Sequence, residues 1–302
     1  MNYIFTHYTT SKGQHNFGVN VLLNSIKVLN DNTIKVILFY DGYKDFNEYR
    51  DFVTVVNINN AGGWIPEMRV NVQRWYLYRN YIEKNIYKFN KQDKFFHCDS
   101  ADVIFQKNIF NEIKEEEKIL FFTENSECDF TEKPHKKWIN HLHNFNWEGI
   151  QIQNIIKNKI ICSGTIYFSN LSLFIDFLSR YAAYELNCMI NNDLFNENPY
   201  NKMGGVNDQG VVNSLVYNFP DSTYKIIENE TLNLVCTMAL MKRVENRCNE
   251  SQYEFKTSSN IISVNNIIPC VLHQYNRYDE GNATLYNRPN LTKFIYNKYI
   301  GT

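Results

Sequence analysis

A chain of 302 residues with 44% hydrophobic and 15% aromatic content has ample material for a packed core, which excludes wholesale disorder. Its net charge of −1 rests on scattered basic and acidic residues, so it offers no field for nucleic acid or an anionic membrane. Seven cysteines lie apart with no Cys-x-x-Cys pair, the usage of a reducing compartment, and no apolar run approaches the ~18 residues of a membrane span.

The opening "MNYIFTHYTT" has no positive region followed by an apolar one, so no secretory signal is expected, and a cytoplasmic location follows as the expectation. "YIFTHY" reads as a strand, and Phe17 to Leu29 carries Val21, Leu22, Ile26 and Leu29 at helical spacing. "TIKVILFY" is a β-branched run that ends at the turn signal Asp41-Gly42, and "FVTVVNI" is a third strand. A helix through "MRVNVQRWYLYRNYIEKNIY" puts Trp75, Tyr78, Ile82 and Ile86 on one stripe. The strands "KFFHC", "KILFFTE" and "KIICSGTIYFS" follow. "SNLSLFIDFLSRYAAYEL" is an amphipathic helix capped by Ser169 or Asn170, with Leu171, Phe174, Leu178, Tyr181 and Ala182 inward. The Asn-rich stretch 187–205 reads as a loop. Strands alternating with helices predict one α/β domain: a mostly parallel central sheet flanked by helices, with a less regular C-terminal third.

Ligands on such sheets bind beyond the carboxyl ends of the strands, where Asp99 and Asp102 of "KFFHCDSADVIFQ" fall. Two carboxylates beside an apolar strand repel each other and need a cation, donors or water. At i and i+3 around a turn they can converge on Mg²⁺ or Mn²⁺, although aspartate is also common at strand ends as a plain turn or cap residue. In "GGVNDQGVVNSLVY", Asp208 is either a helix cap or a functional carboxylate. In "PCVLHQYNRY" an apolar strand delivers His273 at its end, as a ligand or as a structural histidine. Ser163-Gly164 inside an apolar strand marks a bulge or a close approach to the backbone. The spacing of Cys128, His135, His141 and His143 does not suit a structural zinc, and no phosphate-binding glycine loop is present.

Taken in order, these motifs resemble the GT-A-fold glycosyltransferases, above all glycosyltransferase family 8 and related sugar transferases with "DSxDVxFQ" and a late "VLHQY". The opening "IFTHYTTSKGQHNFGVNVLLNSI" is similar to that family's first strand, loop and helix. The resemblance implies a Rossmann-like GT-A sheet in a single domain, with 1–110 as the nucleotide-binding half and 111–302 as the sugar and acceptor half. It implies that Asp99, Asp102 and His273 hold Mn²⁺ (or Mg²⁺), and that Asp208 and Gln209 face the donor sugar. Ser163 and Gly164 would lie beside that sugar, and Thr6 and Tyr8 would receive the base. Arg74 is the candidate for a phosphate or sugar contact, with Arg69 and Arg79 competing.

Two departures stand out. The spacing Asp-Ser-Ala-Asp leaves open whether Asp99 or Ser100 pairs with Asp102, and "QYNRYDEGN" after His273 lacks the family's lysine, leaving Arg277 as its replacement. The implied activity is metal-dependent transfer of a hexosyl or pentosyl group, with a UDP-sugar favoured, to a hydroxyl of a glycan, protein or lipid-linked acceptor. The outcome would be retaining, as in family 8; an inverting enzyme would need a base, for which Asp208 and Glu124 are the choices. The alternative is a non-catalytic sugar-nucleotide or glycan-binding module on the same fold. Neither nucleic acid nor a transmembrane segment is expected.

Overall fold

The computed structural model describes residues 1–9, 17–42, 45–61, 70–124, 152–190, 208–238, 255–258, 261–274 and 291–300. In chain order the elements begin β1 (Asn2–Tyr8), α1 (Phe17–Leu29), β2 (Ile34–Tyr40), β3 (Val53–Asn57), α2 (Ile58–Ala61), α3 (Val70–Asn85) and β4 (Lys94–Cys98). There follow β5 (Val103–Phe105), α4 (Ile109–Glu112), β6 (Ile119–Thr123), α5 (Ile152–Ile156), β7 (Ile161–Phe168), α6 (Leu171–Ile190) and α7 (Asp208–Asn218). The remainder is β8 (Tyr224–Ile227), β9 (Val235–Thr237), β10 (Phe255–Ser258), β11 (Ile261–Val264), β12 (Val271–His273) and α8 (Leu291–Tyr299).

The central sheet has seven strands in the order β3-β2-β1-β4-β7-β6-β8. Its pairings are parallel except where β7 runs antiparallel to both β4 and β6. Alternate residues of the central strands serve two different cores. Phe5, Phe39, Phe95, Phe121 and Ile166 pack beneath α3, α6 and α7 with Trp75, Tyr78 and Phe177. Ile4, Leu38, Phe96, Leu120 and Tyr167 pack on the other face with Val19, Leu22 and Ile26 of α1. Burial on both faces is why these strands read as unbroken apolar runs rather than as alternating ones.

After β8, which forms one edge of the large sheet, the later strands make two small sheets. Strand β12 lies between β5, antiparallel, and β9, parallel, while β10 and β11 pair as a separate antiparallel couple. The pairing of His273 with Val103 carries the end of β12 to the start of β5, directly after Asp102.

Three details refine the sequence reading. Ile86 is 45% exposed and off the stripe, because the helix closes at Asn85 and tightens into a 3₁₀ turn, Ile86–Lys88. Helix α6 runs on to Ile190, four residues into the stretch expected to be a loop; 191–205 lie outside the described residues. Asn170 is the cap of α6, its Oδ1 accepting from the Leu173 amide at 3.0 Å, whereas the Ser169 hydroxyl accepts from the Lys118 amide.

Candidate active site

The chain leaves β4 at Cys98 and turns through Asp99, Ser100, Ala101 and Asp102 before β5 begins. The turn is pinned by four separate segments. The Asp99 amide donates to the Gly164 carbonyl at 2.9 Å, and the Ser100 hydroxyl donates to the His7 carbonyl at 2.7 Å. Gly18, at the start of α1, lies so close to the Ala101 backbone that any Cβ there would overlap it. From the other side, the Gln274 amide donates to the Asp102 carbonyl at 2.7 Å, which ties the end of β12 to the turn.

This scaffold brings together residues 174 positions apart. His273 is fully buried, with its Nε2 3.3 Å from Asp99 Oδ2 and 3.7 Å from Asp102 Oδ1. One ligand atom from each of the three falls within 4.8 Å of the others. Of the two possible partners for Asp102, Asp99 turns its carboxylate to His273, whereas Ser100 directs its hydroxyl to a backbone carbonyl. Two carboxylate oxygens and one imidazole nitrogen suit a hard or borderline divalent cation such as Mn²⁺ or Mg²⁺. Burial works against the protonated imidazole of His273, but Cys162, Asp99 and Asp102 together outweigh it and hold the group well above its ordinary pKa.

Behind the carboxylates lies Arg74, 2% exposed and borne on α3. Its Nη1 pairs with Asp99 Oδ1, and its Nη2 pairs with Asp208 Oδ2 and donates to the Ser163 carbonyl at 3.1 Å. The guanidinium plane is backed by Trp75, 5.2 Å from the ring centroid. Burial alone would raise the Asp99 carboxyl, yet Arg74 first and His273 second bring it well below the usual range. Asp208 goes the other way: burial raises it, and Arg74 and the Ser163 hydroxyl offset that only in part. Arg79 faces outward in an i,i+4 pair with Glu83, and Arg69 and Arg277 lie outside the described residues.

Asp208 and Gln209 open α7, and both are buried. Gln209 Nε2 donates to Glu124 Oε1 at 2.7 Å just past the end of β6. One turn on, Asn213 locks the helix to the sheet: its Oδ1 accepts from the Ile161 amide and its Nδ2 donates to the Ile161 carbonyl, both at 2.8 Å. Strand β7 is irregular at this point. Phe121 pairs with Ile166 but Thr123 pairs with Ile161, so Cys162 to Thr165 bulge opposite Phe122 alone. Both expectations for Ser163-Gly164 meet here, a bulge and a close approach: a Cβ on Gly164 would fall 2.5 Å from Asp99 Oδ2.

The remaining expected residues, Thr6 and Tyr8, lie along β1 on either side of His7. Thr6 is fully buried within β1, and Tyr8, on the same face, packs beside Tyr40 with ring centroids 6.2 Å apart. Three neighbours escaped the sequence reading. Gly18 reads as an ordinary helix glycine, Cys162 as a small core residue, and His7 as part of a strand. Only the fold places them against the Asp99–Asp102 turn and His273. Nothing in their local sequence marks them.

No protein-family model and no curated protein matches the chain. Solved structures that resemble it include the galactosyltransferase LgtC in complex with donor and acceptor sugar analogs, at 11% identity, covering 98% of this chain and 100% of that one, with a TM-score of 0.48. A glycosyltransferase involved in the glycosylation of the major capsid of PBCV-1 has 11% identity, coverage of 94% and 99%, and a TM-score of 0.42. Glucosyl-3-phosphoglycerate synthase from Mycobacterium tuberculosis, solved with Mn²⁺, UDP and glucosyl-3-phosphoglycerate, has 12% identity, coverage of 64% and 67%, and a TM-score of 0.35. At such scores and identities the likeness assigns no activity to this chain.

Proposed function

We propose that this chain is a metal-dependent glycosyltransferase that moves a hexosyl or pentosyl group from a nucleotide sugar, with UDP as the favoured carrier, to an acceptor hydroxyl. The observation that carries the reading is the convergence of Asp99, Asp102 and His273 at the carboxyl ends of the strands, with Arg74 and Asp208 directly behind them. In this reading Asp99, Asp102 and His273 hold Mn²⁺ or Mg²⁺. Bound there, the cation supplies Lewis-acid stabilisation for the charge that builds on the departing diphosphate.

The chain's own residues do the rest. Arg74 pairs through Nη1 and Nη2 with two carboxylates and a carbonyl, so in this reading it holds Asp99 and Asp208 in place behind the cation. Gln209, beside Asp208, presents an amide near the sugar, where an oxocarbenium-like centre gains from a preorganised dipole. With Asp208 ion-paired to Arg74 and Glu124 hydrogen-bonded to Gln209, the two candidate bases are both engaged, which favours a retaining outcome. Residues 1–110 form the nucleotide half and 111–302 the sugar half, with Ser163 and Gly164 beside the sugar and Thr6 and Tyr8 on the base side. The acceptor is a glycan, protein or lipid-linked hydroxyl.

The test is release of UDP from a panel of UDP-sugars with Mn²⁺, comparing wild type with Asp102→Asn. The expected result is a loss of at least about 10²-fold in kcat, of the order seen when one charge-stabilising group is removed, with the fold intact. Equal turnover by the variant would remove Asp102 from the site.

A further inference from the structure

Strand β7 grips His273 at two points. The Cys162 sulfur lies 3.4 Å from His273 Nδ1. Gly164 lies against the adjoining edge of the ring, where a Cβ would fall 2.5 Å from Cε1 and 2.8 Å from Nε2. The glycine makes room for the imidazole, and the thiol is the partner at its far nitrogen. What this grip directs toward Asp99 and Asp102 is Nε2.

An imidazole that gives its Nε2 lone pair to a cation keeps its proton on Nδ1, and that proton needs an acceptor to fix the ring. In most sites of this kind the acceptor is a carboxylate or a backbone carbonyl. Here it is sulfur, a weaker acceptor at longer reach. Packing alone does not ask for a thiol at this place. Cys162 is 1% exposed in a strand where its buried neighbours include Ile161 and Ile166, and valine would fill the space as well.

We infer that Cys162 is a positioning residue for the cation site, its sulfur accepting the Nδ1 proton of His273 so that Nε2 is aimed between Asp99 and Asp102. The inference rests on the cation site proposed above. Cys162 itself touches neither the cation nor the substrate.

The experiment is Mn²⁺ affinity by titration calorimetry on the full chain, for wild type, Cys162→Ser, Cys162→Val and His273→Ala, with thermal melts as the check on folding. Serine keeps an acceptor and loses apolarity; valine keeps volume and apolarity and loses the acceptor. Valine should weaken Mn²⁺ binding by about 10-fold or more, within the range for removing the outer partner of a metal-bound histidine, while serine holds affinity closer to wild type. The reverse order, with valine retaining affinity and serine losing it, would make Cys162 a packing residue and overturn the inference. Wild-type affinity in both variants, together with loss in His273→Ala, would overturn the positioning role and leave the cation site standing. Undiminished affinity in His273→Ala would remove the cation site itself, and the role of Cys162 with it.

Discussion

At the scale of single residues, Arg74 is the buried charge that ties two of the site's carboxylates together. Arg74 pairs with Asp99 and Asp208 at once through two separate nitrogens of a planar fork, a reach that a single ammonium nitrogen matches only in part. Arg74→Met should therefore cost about 3–5 kcal/mol in chemical denaturation, because it strands a carboxylate that is 3% exposed. Arg74→Lys should recover only part of that loss. A cost below 1 kcal/mol for Arg74→Met would mean that the pairing carries little weight. His7 sets a second expectation. Burial, and then Arg74, push its imidazole down to about 3. An unfolded histidine titrates near 6.5, so between these values the unfolded chain takes up a proton that the folded chain refuses. Stability thus falls as pH drops below about 6.5, by about 2 kcal/mol at pH 5 from His7 alone. His7→Gln should flatten that slope in urea melts at pH 7 and pH 5; an unchanged slope would place the acid sensitivity elsewhere, with the more deeply buried His97, also lowered, as the next group to test.

At the scale of elements, the position of α7 matters most, because it delivers Asp208 and Gln209. Its anchor is the Asn213 side chain, fully buried and paired with both backbone groups of Ile161. Asn213→Leu would leave a buried amide and a buried carbonyl without those partners, at a cost of about 2–4 kcal/mol. Hydrogen exchange at the Ile161 amide should quicken in that variant; unchanged protection there would show that another group holds the helix. The alternation of strands and helices was legible in the sequence, since burial on both faces of the sheet leaves continuous apolar runs such as "TIKVILFY". The reversed direction of β7 was not, because an apolar run looks the same read either way. Nor was the end of α3, where Ile86 keeps the helical spacing but the backbone has already tightened.

At the scale of the whole molecule, the meeting of Asp99, Asp102 and His273 depends on contacts that no local pattern encodes. Asp99 and His273 are 174 positions apart, and they meet because the pairing of β12 with β5 returns the chain to the first turn. Each motif was readable as a polar residue at the end of an apolar strand, while their meeting was implied only by the order of motifs. The grip of Cys162 on His273 and the fit of Gly18 against Ala101 could not be read at all, since both depend on surfaces made by distant segments. Among the described residues, no helix is long and apolar enough to cross a membrane. The most direct test of the proposed site is thermal stability with UDP, GDP, CMP and ADP, each with and without Mn²⁺, in wild type and in His273→Ala. A ligand at 100 times its Kd adds about 2.7 kcal/mol to a folded protein, a shift that melts resolve readily. The expected result is a rise with UDP that requires Mn²⁺ and is lost in His273→Ala. A rise that is the same without the metal, or no rise with any nucleotide, would contradict a metal-dependent nucleotide-sugar site.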